Sequence, residues 1–163
     1  MRPQDIAVLL KIISKGKQEW QNKDLAYELF LSPSEISESL NRSRLAGLIN
    51  FEKKEPHKQS LLEFIRYGLH YVFPVVPLGL TNGIVTAHSH PLLKKEFASE
   101  QKYVWPKVGG KDFGSAIEPL YTDLVKAIEN DEKFYSLLAL TDVFRVGRAR
   151  EINFAGQLLK EMM

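Results

Sequence analysis

Hydrophobic positions in the first fifty residues recur at helical spacing in three separate stretches. Ile6, Leu9, Leu10 and Ile13 share one face of a helix that opens after Pro3 and stops at Gly16. A short polar stretch follows, with Trp20 packing at its end. Residues 22–30 predict a second, shorter helix that turns Leu25, Ala26 and Leu29 inward. Ser32-Pro33-Ser34-Glu35 is a capping box: the Ser32 hydroxyl is placed to accept from the Glu35 amide, and Glu35 reaches back. Pro33 fits the first position of the helix that follows. Ile36 and Leu40 mark its buried side, and Gly47 supplies the left-handed turn that ends it after Ala46. Residues 48–54 alternate weakly and predict a short strand leading to a basic tip at Lys53 and Lys54, a candidate wing.

Beyond residue 57 the pattern changes. Leu61, Leu62, Phe64, Ile65, Leu69 and Val72 make residues 58–73 apolar over most of a helical circumference, with Glu63, Arg66 and His70 as a narrow polar stripe. Such a helix is expected to be buried, between domains or between subunits, and Pro74 and Pro77 end it. Residues 74–114 show little periodicity. Prolines at 74, 77, 91 and 106 and the pair Gly109-Gly110 make this an irregular segment, with short strands expected at 83–87 and 102–105. Helical spacing then returns in three sets: Leu120, Leu124 and Ile128; Phe134, Leu137, Leu138 and Phe144; and Ile152, Ala155, Leu159 and Met162. Gly147 separates two of these helices or kinks one.

The expected fold class is therefore mainly α with a small β component. A winged helix-turn-helix occupies residues 1–56. A mostly helical companion, residues 57–163, consists of a linker helix, the irregular segment and the C-terminal helices. In a helix-turn-helix the second helix lies in the major groove of a duplex while the first holds its inner face. The outward residues of the capped helix are then Ser34, Ser37, Glu38, Asn41, Arg42 and Arg44. Asn and Arg pair bidentately with adenine and guanine edges, Ser contacts base or phosphate, and Glu accepts from cytosine. Lys23, Lys53 and Lys54 flank this helix as phosphate contacts.

The run Lys-Asp-Leu-Ala-Tyr-Glu-Leu-Phe-Leu-Ser-Pro-Ser-Glu-Ile-Ser over 23–37, with Leu40 and the Ala-Gly-Leu-Ile of 46–49, resembles bacterial winged helix-turn-helix regulators of the MarR-like kind. The resemblance covers about residues 3–55. It implies a dimeric bacterial transcription factor whose recognition helix spans 33–46. The chain departs from that pattern at Ser43, where a core Leu is usual, and at Leu45, which is left near the surface. The companion region is not part of the resemblance.

Composition narrows the alternatives. With 44% hydrophobic residues, nine Phe, six Tyr and two Trp, the chain can build a core, which argues against global disorder. The absence of Cys excludes disulfides, thiolate catalysis and Cys-based zinc patterns. No apolar run approaches the ~18–20 residues that span a bilayer, and no secretory pattern opens the chain, so a cytoplasmic protein is expected. The net charge is only +2, and residues 1–60 carry ten Lys or Arg against eight Asp or Glu. Affinity for DNA must then come from the placement of a few cations and from two-fold repetition in a homodimer.

Three other features invite chemistry. His88-Ser89-His90 has two imidazoles at alternate positions, but no further ligands complete a metal site. The alternative is His88 bonded to backbone and His90 opening a turn before Pro91. Arg145, Arg148 and Arg150 around Gly147 form either an anion-grasping cluster or a solvated face paired with Asp142 and Glu151. Phe64, Tyr67, Tyr71, Phe73, Trp105 and Phe113 line an effector pocket or are core. Gly109-Gly110-Lys111 lacks phosphate-loop spacing, and no nucleophile elbow is present. Neither a cofactor nor a metal is expected, and the chain reads as a regulator of transcription that senses a small-molecule effector or a partner protein, not as an enzyme. The alternative is a protein-interaction module, such as an antitoxin or defence-system partner with an autoregulatory helix-turn-helix.

Overall fold

A computed structural model describes residues 1–97 and 101–163. The chain is mostly helical with a small three-stranded sheet. Helix α1, Pro3–Lys15, starts on a proline, and its Asp5 carboxylate accepts the Arg2 backbone N–H at 2.7 Å. It ends at Gly16, whose combination of φ 61° with ψ −119° lies outside the left-handed region open to other residues. The expectation of one buried face understates it: every residue from Asp5 to Ile13 is buried. Helix α2, Asn22–Leu29, closes on the left-handed Phe30. Helix α3, Pro33–Leu45, is capped as its sequence predicts, with the Glu35 amide donating to Ser32 Oγ and the Ser32 amide to Glu35 Oε2. Ile36, Ser39, Leu40 and Ser43 form its buried face.

After Gly47 the chain doubles back over residues 49–56, with Ile49 bridging antiparallel to Pro56. The Asn50 side-chain carbonyl accepts the Lys54 and Glu55 amides and shapes the turn, and Lys53 at its tip has a φ of 59°. The expected strand is reduced to this one bridge.

Residues 58–73 form two helices, α4 (Lys58–Tyr67) and α5 (Leu69–Val72), meeting at Gly68. Only one side is buried, through Leu61, Leu62, Ile65 and Leu69, while Tyr67, Tyr71 and Val72 are exposed. The expectation of a single helix buried over most of its circumference is corrected. Of the residues that make it look apolar all round, Val72 is exposed and Phe64 only half-buried.

Strand β1 is Leu80–Val85. A 3-10 turn at Ala87–Ser89 and the one-turn helix α6 (Pro91–Lys94) follow, then β2 (Tyr103–Pro106) and β3 (Asp112–Ala116). β1 pairs antiparallel with both other strands, Ile84 opposite Trp105 and Asn82 opposite Phe113. β2 and β3 pair in parallel, Val104 beside Ala116, which closes the three strands into a tube. So narrow a closure leaves no room for side chains inside: a Cβ added at Gly83 would lie 2.0 Å from the Trp105 carbonyl oxygen. β3 was not expected from the sequence, because Asp-Phe-Gly-Ser-Ala lacks apolar alternation.

The C-terminal part holds α7 (Leu124–Ala127), α8 (Glu132–Val146) and α9 (Ala149–Met162), with Gly147 separating the last two. α8 is buried along most of its length and packs against α1. The hydrophobic core is thus continuous from Ile6 to Leu159, across the expected boundary at residue 57. Lys11 of α1, buried, ties the two parts together through Asp131 at 2.8 Å and Glu28 at 3.0 Å. Among the described residues no helix is long and apolar enough to cross a membrane.

Candidate nucleic-acid interface

The cap at Ser32 fixes where α3 begins, and the spacing of Ile36, Ser39, Leu40 and Ser43 fixes which side it buries. The opposite side carries Ser34, Ser37, Glu38 and Asn41 at positions i, i+3, i+4 and i+7, a single strip along the helix. Ser34 and Glu38 are exposed, Ser37 and Asn41 half-buried. None of the four hydrogen-bonds through its side chain to another described residue, so their polar groups remain available. Leu45, 78% exposed, continues the strip toward the C-terminal end.

The cations expected beside the strip divide into two groups. Arg42 turns back from the surface: its Nε and Nη2 donate to the two carboxylate oxygens of Asp5 at 2.9 and 2.7 Å. That hydrogen-bonded contact raises the guanidinium pKa above its ordinary value. Lys54 donates from Nζ to the Trp20 carbonyl at 3.0 Å and stands 4.1 Å from the Trp20 ring centroid. These two hold α3 to α1 and the 49–56 hairpin to the α1–α2 connection. The second group is freer. Lys23 is exposed on α2, Lys53 is at the hairpin tip, and Arg44 lies over the exposed Phe51 ring at 5.5 Å. Glu35 is consumed by the cap, and the Ser32 amide and hydroxyl hold its carboxyl below the usual range.

Phe51 at the hairpin carries no sequence signal, since it reads as one more residue of a weakly alternating strand. The strip itself holds one acid and no cation. It can therefore discriminate base edges by hydrogen bonding, while attraction to phosphates falls to Lys23, Arg44 and Lys53.

The remaining candidates resolve into structural roles. His88 Nε2 lies 2.9 Å from the Gln101 carbonyl, and His90 caps α6 by accepting the Leu92 amide on Nδ1. Burial pushes His90 down to about 4, so it is neutral at physiological pH. Among the described residues no group of three His, Asp or Glu could hold a metal ion. Arg145 is buried, whereas Arg148 and Arg150 are exposed at the start of α9, so the three do not converge. Of the six aromatics, Phe64 and Phe73 pack edge to face and Trp105 is in the core, but Tyr67, Tyr71 and Phe113 are exposed. The six are thus divided between core and surface.

Compared with models of known protein families, with curated proteins and with solved structures, the chain matches none.

Proposed function

We propose that α1–α3 and the 49–56 hairpin are a winged helix-turn-helix of the MarR-like kind, and that the protein is a sequence-specific DNA-binding regulator of transcription in the bacterial cytoplasm, not an enzyme. The observation that carries this reading is the uncovered polar strip Ser34, Ser37, Glu38 and Asn41 on a helix fixed by its cap and by Asp5. A helix held this rigidly can enter a major groove with its N-terminal half toward the base edges. Lys23, Arg44 and Lys53 position it on phosphates.

One such helix, with so few free cations, binds weakly. The reading therefore includes a homodimer on a pseudo-palindromic operator, its two half-sites about 34 Å apart. Selection of bound fragments from random duplex DNA is the test. Enrichment of a two-fold symmetric motif supports the regulator, as does its loss in a Ser37→Ala, Asn41→Ala variant that melts like the parent. A selection that enriches nothing overturns it.

A second reading, an interaction module such as an antitoxin or defence-system partner, draws on a different observation. Tyr67, Tyr71, Val72, Val76, Leu78 and Leu80 are all exposed within a short stretch of chain. Exposed apolar residues gathered in this way mark protein contacts. The same residues serve a homodimer, so sedimentation of the isolated chain separates the two: a dimer favours the regulator, and a monomer that enriches no DNA motif favours the module.

A further inference from the structure

Between the end of α5 and the segment that leads into α7, the surface opens into a cleft of about 820 Å³. Val72, Phe73, Pro119, Leu120 and Val125 give it apolar walls. Arg145, only 5% exposed, lines it from α8. The guanidinium is fixed by three acceptors: Nε donates to the Phe73 carbonyl at 3.3 Å, and Nη1 to the Glu118 carbonyl at 2.9 Å and to Asp142 at 2.8 Å. Asp142 is itself held by Thr86 and by the Trp105 indole, at 2.9 and 2.7 Å, so the arginine cannot follow it elsewhere. The remaining nitrogen, Nη2, has no partner among the described residues. Tyr121, on the same lining, has a hydroxyl sealed from solvent and without a partner.

Nη2 is reached by solvent, so this fixed guanidinium offers a directed donor that a ligand can take over from water. The site has the composition of a small-molecule pocket: a size within the usual range, apolar walls and few, fixed polar groups. We infer that the cleft binds a small apolar carboxylate, which takes Arg145 Nη2 through its carboxylate and packs its hydrocarbon body against the walls. Lys107 and Lys126 also line the cleft, against the single acid Glu118. Both lysines are paired, with Glu129 and Asp123, and Arg145 is paired with Asp142. Selectivity for a carboxylate thus rests on the directed Nη2 donor more than on net charge. Pro3, the first residue of α1, lies on the same lining, two residues before the Asp5 that holds Arg42. Binding at this site does not depend on the DNA-binding reading.

The test is calorimetric titration of the full chain with benzoate, 4-phenylbutyrate and decanoate, each beside its primary amide. At least one acid should bind with submillimolar Kd, about tenfold or more tighter than its amide. Thr122 is an exposed residue of the lining, and Thr122→Trp fills the cleft without touching the core. It should abolish binding while leaving the melting temperature unchanged. Arg145→Lys, where it folds, should equalise acid and amide. The inference is overturned if no acid binds, if acid and amide bind alike to the parent chain, or if Thr122→Trp binds as the parent does.

Discussion

Asp5 has no solvent exposure, and Arg42, thirty-seven residues further along, covers its carboxylate with two parallel hydrogen bonds at 2.9 and 2.7 Å. The same carboxylate accepts the Arg2 amide, so one acid both caps α1 and anchors α3. Removing the arginine leaves that acid buried and without its counter-charge. Arg42→Ala should therefore destabilise the protein by about 3 kcal/mol in urea denaturation. Asn41→Ala, one residue away on the uncovered strip, should change stability by less than about 0.5 kcal/mol. Equal stability of the two variants would show that the Asp5–Arg42 pair does not anchor α3.

Ser43 is fully buried with a hydroxyl that has no partner, as is Ser39 one turn before. Ser43→Ala removes an unsatisfied polar group and should stabilise by about 1 kcal/mol. Ser43→Leu tests whether the space exists. The α3 face is closed over the serines, and adding a larger side chain there should destabilise by about 1–3 kcal/mol through overpacking. Thermal or urea unfolding of both variants decides. A stabilising leucine would mean that α3 can move away from its neighbours.

What was legible in the sequence was what local chemistry fixes. The cap at Ser32 and Glu35, the glycine stops at Gly16 and Gly47, and the break at Gly147 all depend on residues within one helical turn. Arg42 was not legible in this way. It neighbours Asn41 on the helix, and only the reach of its side chain to Asp5 removes it from the surface. Lys54 is the same case, committed to Trp20 across thirty-four residues. β3 and the Arg145 cleft come from segments far apart in the chain, whose meeting no periodicity encodes. Val72 of α5 misleads for the converse reason: hydrophobicity does not say whether a side chain finds a partner.

Gly83 sits where β1 meets both other strands, opposite Pro106 and Asp112. A methyl group there would overlap the Trp105 carbonyl, and backbone cannot yield as a flexible side chain can. Gly83→Ala should destabilise by about 3 kcal/mol or more and disturb the Trp105 environment, read by its fluorescence. Gly79→Ala, with open space around it, should be near neutral. If both variants behave alike, the three strands do not close as tightly as described.

His90 supplies the clearest pH dependence. Its Nδ1 accepts the Leu92 amide, its Nε2 is buried without a partner, and the Tyr135 ring stands perpendicular at 4.4 Å. Burial lowers its pKa from 6.5 to about 4. The unfolded chain therefore takes up a proton that the folded chain refuses, and stability falls as pH drops from about 6.5 toward 4. The loss attributable to this one ring between pH 7 and 4.5 is roughly 2.5 kcal/mol. Glu28, held below its ordinary value by Lys15 and Lys11, and Asp131, held so by Lys11, add their own losses as pH falls through their ordinary values of 4.5 and 3.8. His90→Asn keeps an acceptor at the α6 N-terminus and cannot titrate. Urea midpoints measured from pH 7 to 4.5 should fall steeply for the parent chain and much less for His90→Asn, whatever their difference at neutral pH. Parallel slopes would place the acid sensitivity elsewhere in the molecule.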